Sequence, residues 1–125
     1  MILVDTSVWI EFLKGQKPVL DSLSQLLEQQ EVLGAEWIFG ELLQGALSEK
    51  EIKVIKAYWD NIQHIDPHNI WIAAGELSQK LGLFSKGVGL IDAAIIAAAR
   101  KHKARIWTLD KKLNKILMPH EILTS

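Results

Sequence analysis

A three-layer α/β fold with a largely parallel sheet is predicted by three features of this chain. Short apolar runs (ILV, VLGA, RIWTL) alternate with longer segments whose apolar residues recur at helical spacing. The order along the chain is strand, two helices, strand, two helices, strand, two helices, strand, helix. Apolar residues make up 49% of the 125, and mean hydropathy is +0.12, which suits strands covered on both faces or a sizeable sticky surface. The length fits one domain, residues 1–125, with a core that needs no crosslinks.

Residues 2–5 read as a strand that begins at once. Ser7 is placed to cap a helix through Val8–Lys14, which Gly15 ends. Leu20, Leu23, Leu26 and Leu27 give an amphipathic helix over about 18–30. Val32–Ala35 is a weak strand, and Glu41 lies near the start of the helix that follows. Ser48 and Glu51 form a capping box for a helix through Ile52, Ile55 and Trp59. Ile62–Ile65 is a strand, and Asp66-Pro67 starts a helix through Trp71, Ala74, Leu77 and Leu81. Gly82, Ser85, Gly87 and Gly89 mark a tight connection. LIDAAIIAAARKH at 90–102 is apolar on nearly every face, as a centrally packed helix must be. Arg105–Leu109 is a buried strand, and Asp110–Leu117 a short basic helix.

Several chemistries are excluded. Without cysteine there are no disulfides, thiolate metal sites or cysteine nucleophiles. His64, His68, His102 and His120 form no H-x-x-x-H pair, and neither a nucleophile elbow nor a phosphate-binding glycine loop is present. No apolar stretch is long enough for a membrane span, and the N-terminus lacks the features of a signal peptide; a cytoplasmic setting is expected. Net charge is −1 but unevenly spread. Residues 1–79 carry −7, whereas residues 80–115 carry +7, a distribution that suits either a polyanion-facing surface or ordinary solvated helix faces.

Four acids break the apolar pattern: Asp5 after the first strand, Glu41 in FGELLQG, Asp92 in GLIDAAI and Asp110 after RIWTL. Taken singly, each admits a structural role, with Asp5, Asp92 and Asp110 as helix caps and Glu41 as surface. Gathered together, they would repel one another unless protonated or holding a cation. Mg²⁺ or Mn²⁺ accepts such oxygen ligands and stabilises charge on a phosphate undergoing displacement. Thr6, Ser7 and Thr108 flank the strand ends and are placed to hold a water or a carboxylate. Lys86, Arg100, Lys101, Lys103 and Lys112 supply candidate phosphate contacts.

LVDTSVWIEFL at 3–13, GELLQG at 40–45, GLIDAAIIAAA at 89–99 and TLDKKL at 108–113 resemble, in order and spacing, the motifs of the PIN-domain family, and within it the VapC-type ribonuclease toxins. The resemblance implies a mainly parallel five-stranded sheet flanked by helices, homodimerisation, and Mg²⁺- or Mn²⁺-dependent endonucleolytic cleavage of RNA. It makes Asp5, Glu41, Asp92 and Asp110 the catalytic, metal-holding acids and implies a cognate antitoxin protein lying across the site. One departure is visible: where family members frequently carry a further acid and an aromatic, this chain has Lys112 and Leu113. That implies weaker metal occupancy beside Asp110, with Lys112 available to hold phosphate. Other readings of the same carboxylates are a non-toxin nuclease, a phosphatase, or an RNA- or protein-binding module with an inactive site.

Overall fold

The computed structural model describes residues 1–123. In chain order the elements are β1 (Ile2–Val4), α1 (Thr6–Leu13), α2 (Val19–Glu28), β2 (Val32–Gly34), α3 (Glu36–Gln44), α4 (Glu49–Asn61) and β3 (Gln63–His64). They continue with α5 (Ile70–Leu81), α6 (Leu90–Lys101), β4 (Arg105–Trp107) and α7 (Lys111–Ile116), and 3₁₀ turns lie at Phe84–Lys86 and Pro119–Glu121. The sheet is parallel throughout, in the order β3-β2-β1-β4. Leu3 pairs with Leu33 on one side and Ile106 on the other, and all three side chains are buried. Helix α1 packs against both α2 and α3, α3 packs against α4, α5 packs along α6, and α6 lies on β1 and β4.

Among the described residues four strands form where five were expected. At the outer edge of β4 there is one parallel bridge, Ile106 to Ile122, with the Leu123 N–H donating to the Ile106 carbonyl at 2.9 Å. The 3₁₀ turn at Pro119–Glu121 takes up the residues that an extended approach to that edge would use.

Helix starts bear on three site residues, and at α1 and α3 they differ from the sequence reading. Asp5, not Ser7, is the N-cap of α1: its carbonyl accepts the N–H groups of Val8 and Trp9, at 3.1 and 3.2 Å. Helix α6 starts at Leu90 as expected, which puts Asp92 inside the first turn rather than in the capping role its structural reading allowed. Helix α3 starts at Glu36, so Glu41 sits in its second half. The start of α5 is late: the helix begins at Ile70 after a left-handed Asn69, because Asp66 closes a turn onto the His68 N–H. Ser48 caps α4 as expected, accepting from the Glu51 N–H.

The core explains the composition of α6. Ala93, Ala94, Ile95, Ile96, Ala98 and Ala99 are all buried, and the alanines let the helix come close to both the sheet and α5. Beside α1, Trp9 packs edge-on to Phe12 and Phe39, with ring centroids 5.7 and 5.1 Å apart. Gly34 ends β2 under Ile62, where a Cβ would lie 2.4 Å from the Ile62 Cδ1.

Candidate active site

From β1 the chain runs outward through β2 to β3, then returns on the other side of β1 to form β4. The carboxyl ends of β1 and β4 therefore flank a switch point, the place where open α/β sheets leave a crevice. Asp5 follows β1 and Asp110 follows β4.

Asp5 is only 8% exposed, and a carboxylate so buried needs partners. Its Oδ2 accepts two hydrogen bonds, from Ser7 Oγ at 2.9 Å and Thr108 Oγ1 at 2.7 Å. Each hydroxyl in turn accepts a backbone N–H at 3.0 Å, Ser7 from Leu109 and Thr108 from Asp110. The proton of each hydroxyl is thus directed to Asp5, and the strand after β4 is tied to the start of α1. Asp110 caps α7 by accepting from the Lys112 N–H at 2.8 Å. Thr6, on the opposite side of the α1 start, donates to Glu41 Oε1 at 2.9 Å. The flanking hydroxyls expected to hold water or carboxylate hold carboxylates.

Asp92 gathers the electrostatics of the site. Partial burial, followed by the charges of Asp5, Asp110 and Glu41, pushes its carboxyl up to about 6, and only the charge of Lys112 opposes this. Three acids from separate segments thus bear on Asp92. Among the described residues, no three His, Cys, Asp or Glu side chains come close enough to close around one metal ion. The hydrogen bonds explain the spacing, since Asp5, Glu41 and Asp110 are each held by a different local donor. The donor set fits a hard divalent cation even so: it is all oxygen, and beside its partial burial Asp92 faces three further acids whose charge a cation would offset.

The candidate cations fall into two groups. Arg100 and Lys101 occupy the last turn of α6, eight residues and roughly 12 Å along the axis from Asp92. Arg100 is engaged there by Glu121, Nε to Oε2 at 2.9 Å and Nη2 to Oε1 at 3.2 Å, and Lys101 by Asp66 at 3.0 Å. Lys103 follows that same end of the helix. Lys86 and Lys112 instead lie together on the acid side, with Lys115, around an open cleft of about 590 Å³. Three contributors escaped the sequence reading. Asn114 donates to the Thr108 carbonyl at 3.0 Å, Glu121 holds Arg100, and Lys115 completes the cleft. Only Lys115 left a trace in the sequence, at i+3 from Lys112 on a helix.

An α/β sheet carrying opposed acids at its switch point is the architecture of a PIN domain. The PIN domain family matches residues 2–116, and the chain belongs to that family. Within it, the chain resembles the VapC-type toxins. It is 30% identical over 117 residues to Ribonuclease VapC32 of Mycobacterium tuberculosis, covering 90% of this chain and 87% of that protein. The fold matches a toxin-antitoxin complex from Klebsiella pneumoniae with a TM-score of 0.78 and 20% identity, covering 99% of this chain and 97% of the other. It also matches VapBC2 from Rickettsia felis, solved bound to a DNA fragment from its promoter, with a TM-score of 0.70 and 22% identity over 99% of this chain and 98% of the other.

Proposed function

We propose that this protein is the toxin of a toxin–antitoxin pair and cleaves structured cellular RNA, such as tRNA or rRNA, as a Mg²⁺- or Mn²⁺-dependent endoribonuclease. The observation that carries the reading is the placement of Asp5 and Asp110 at the switch point, with their charges and that of Glu41 bearing on Asp92, in a chain 30% identical to a ribonuclease.

Asp5, Asp92 and Asp110 are the groups that would hold the cation, with Glu41 completing the set. When bound, a divalent cation neutralises charge on the phosphate and lowers the pKa of water. The chain's own residues supply orientation. Ser7 and Thr108 fix Asp5 through Oδ2, which leaves Oδ1 as the oxygen for a cation. Thr6 fixes one oxygen of Glu41, leaving the other to orient water. In the reaction, water oxygen bonds to phosphorus, the bond to the 3′ oxygen breaks, and the water's proton is passed on as the 3′ oxygen gains one. The products carry 5′-phosphate and 3′-hydroxyl ends.

An apolar groove of about 470 Å³ runs from Ile10 and Leu13 past Leu42 and Val54 to Glu41. A cognate antitoxin segment laid in it would cover that acid, and the Klebsiella relative was solved as a toxin–antitoxin complex. Homodimerisation is assigned to exposed apolar surface such as Trp71 and Ile72 on α5.

The test is cleavage of total cellular RNA by purified, partner-free protein with Mn²⁺, with Mg²⁺ and with EDTA, beside Asp5→Asn. Discrete fragments that require metal and vanish in the variant are expected. Activity retained in both Asp5→Asn and Asp92→Asn refutes the scheme. Cleavage of DNA or small phosphoesters but not RNA would reassign the site to a different nuclease or a phosphatase.

A further inference from the structure

We propose that the cleft formed by Lys86, Lys112 and Lys115 is a phosphate subsite that grips the RNA strand one or more nucleotides from the bond being cut. The inference rests on the ribonuclease reading and adds to it a second anchoring point, built from residues on two separate segments.

Lys86 comes from the 3₁₀ turn before α6, and Lys112 and Lys115 come from α7. Their spacing on α7, i and i+3, puts the latter two on one face. Leu81 and Ile116 are the other lining residues, so no carboxylate lines the cleft. All three lysines are exposed, and among the described residues none forms an ion pair or side-chain hydrogen bond. Arg100 and Lys101, by contrast, are already held by Glu121 and Asp66. Three like charges around one cleft repel, and an anion is the natural ligand for such a concavity. Gly87 opens the way between the two segments: it takes φ +76°, and a Cβ there would lie 3.6 Å from Lys112 Nζ.

The cleft adjoins the acids. Lys112 is two residues from Asp110, and its charge acts on Asp92. A polyanion spanning both regions would set one phosphate at the acids and another among the lysines. Lysine suits this task because it binds phosphate as a point charge without reading sequence. A free phosphate ion offers the same chemistry, so the experiment has to separate strand from ion.

Binding of a single-stranded RNA oligonucleotide would be measured in the Asp5→Asn background, which removes cutting, across a range of salt. Lys86→Gln and Lys115→Gln together are expected to raise Kd about tenfold and to flatten the log Kd against log salt slope by ~0.7, the change for the one phosphate no longer neutralised. Lys53→Gln, an exposed lysine on α4, should change neither. Inorganic phosphate should displace the oligonucleotide only at millimolar concentration. Unchanged affinity and slope in the double variant overturn the subsite. So does tight binding of inorganic phosphate with RNA affinity unaffected, which would make the cleft a site for the free ion. The nuclease reading fails separately: wild-type protein that cuts no RNA, while the lysine variants lose RNA binding, removes the chemistry and keeps the subsite.

Discussion

Replacing Asp92 by Asn should make the folded protein more stable at neutral pH. The Asp92 carboxyl titrates at about 6 in the folded chain, against an ordinary value of 3.8. Between those values the folded state holds a proton that the unfolded state has released, so stability falls as pH rises through the window. Above pH 6 the loss is complete. Converted in full, the difference corresponds to ~3 kcal/mol. Two effects reduce it. Asp92 is only partly buried, so solvent screens the repulsion, and an acid in the first turn of α6 gains about 0.5 kcal/mol from the helix dipole that Asn forfeits. The net gain for Asp92→Asn is about 1–2 kcal/mol at pH 7.5, most of it gone at pH 4. Urea unfolding of both proteins in EDTA at the two pH values measures it directly. Mg²⁺ should then raise the melting temperature of the wild type and leave that of the variant nearly unchanged. An Asn variant no more stable than wild type at pH 7.5 would show that neither burial nor the neighbouring acids raise the Asp92 carboxyl, and the placement of Asp92 among those acids would have to be abandoned.

Thr108→Val removes a donor to Asp5 and the acceptor for the Asp110 N–H, with little change of shape. It should cost ~1–3 kcal/mol in denaturant unfolding and lower RNA cleavage at least tenfold. Glu121→Gln weakens a carboxylate that the Arg100 guanidinium, with help from the Met118 N–H, holds below its usual range. Because its folded value is depressed, its contribution is present above about pH 4.5 and is lost as pH falls through the folded value. The variant should therefore lose about 1 kcal/mol at pH 7 and converge with wild type in acid, as read by thermal melts across pH. Gly34→Ala places a methyl against Ile62 Cδ1 and should destabilise by about 1–3 kcal/mol; unchanged stability would show that Ile62 swings aside freely.

The strands and the apolar helices were legible because periodicity and burial coincide there. LIDAAIIAAARK reads as a central helix and is one. The acids were legible as breaks in that pattern. What the linear pattern hid was anything set by a competing local hydrogen bond. Ser7 reads as a cap because serine caps helices, yet its hydroxyl is drawn to Asp5 and the Leu109 N–H from across the sheet. Asp66-Pro67 reads as a helix start, but the turn onto His68 delays α5 to Ile70. The basic block at 80–115 misleads for a related reason. Neighbours in sequence there lie at opposite ends of α6, so Arg100 and Lys101 are far from the acids, while Lys86 and Lys115, 29 positions apart in the numbering, share a cleft. Among the described residues the edge of β4 carries one bridge rather than a fifth strand, and the 3₁₀ turn before that bridge is announced by no apolar pattern.

The site depends on how the chain returns to the sheet. Asp5 needs Thr108, and Thr108 is delivered by β4, the strand that arrives last and on the far side of β1. The segment that delivers it is α6, which carries Asp92 at its first turn and Arg100 at its last. Arg100 is clamped by Glu121, whose turn precedes the single bridge that covers the edge of β4. One helix thus joins the acid cluster at one end to the outer support of β4 at the other. Loosening the Arg100–Glu121 pair should therefore affect catalysis as well as stability, because β4 would hold Thr108 less firmly against Asp5. A Glu121→Gln protein that is less stable yet cleaves RNA at the wild-type rate when fully folded would show that β1 alone fixes Thr108, through pairs such as Val4 with Trp107.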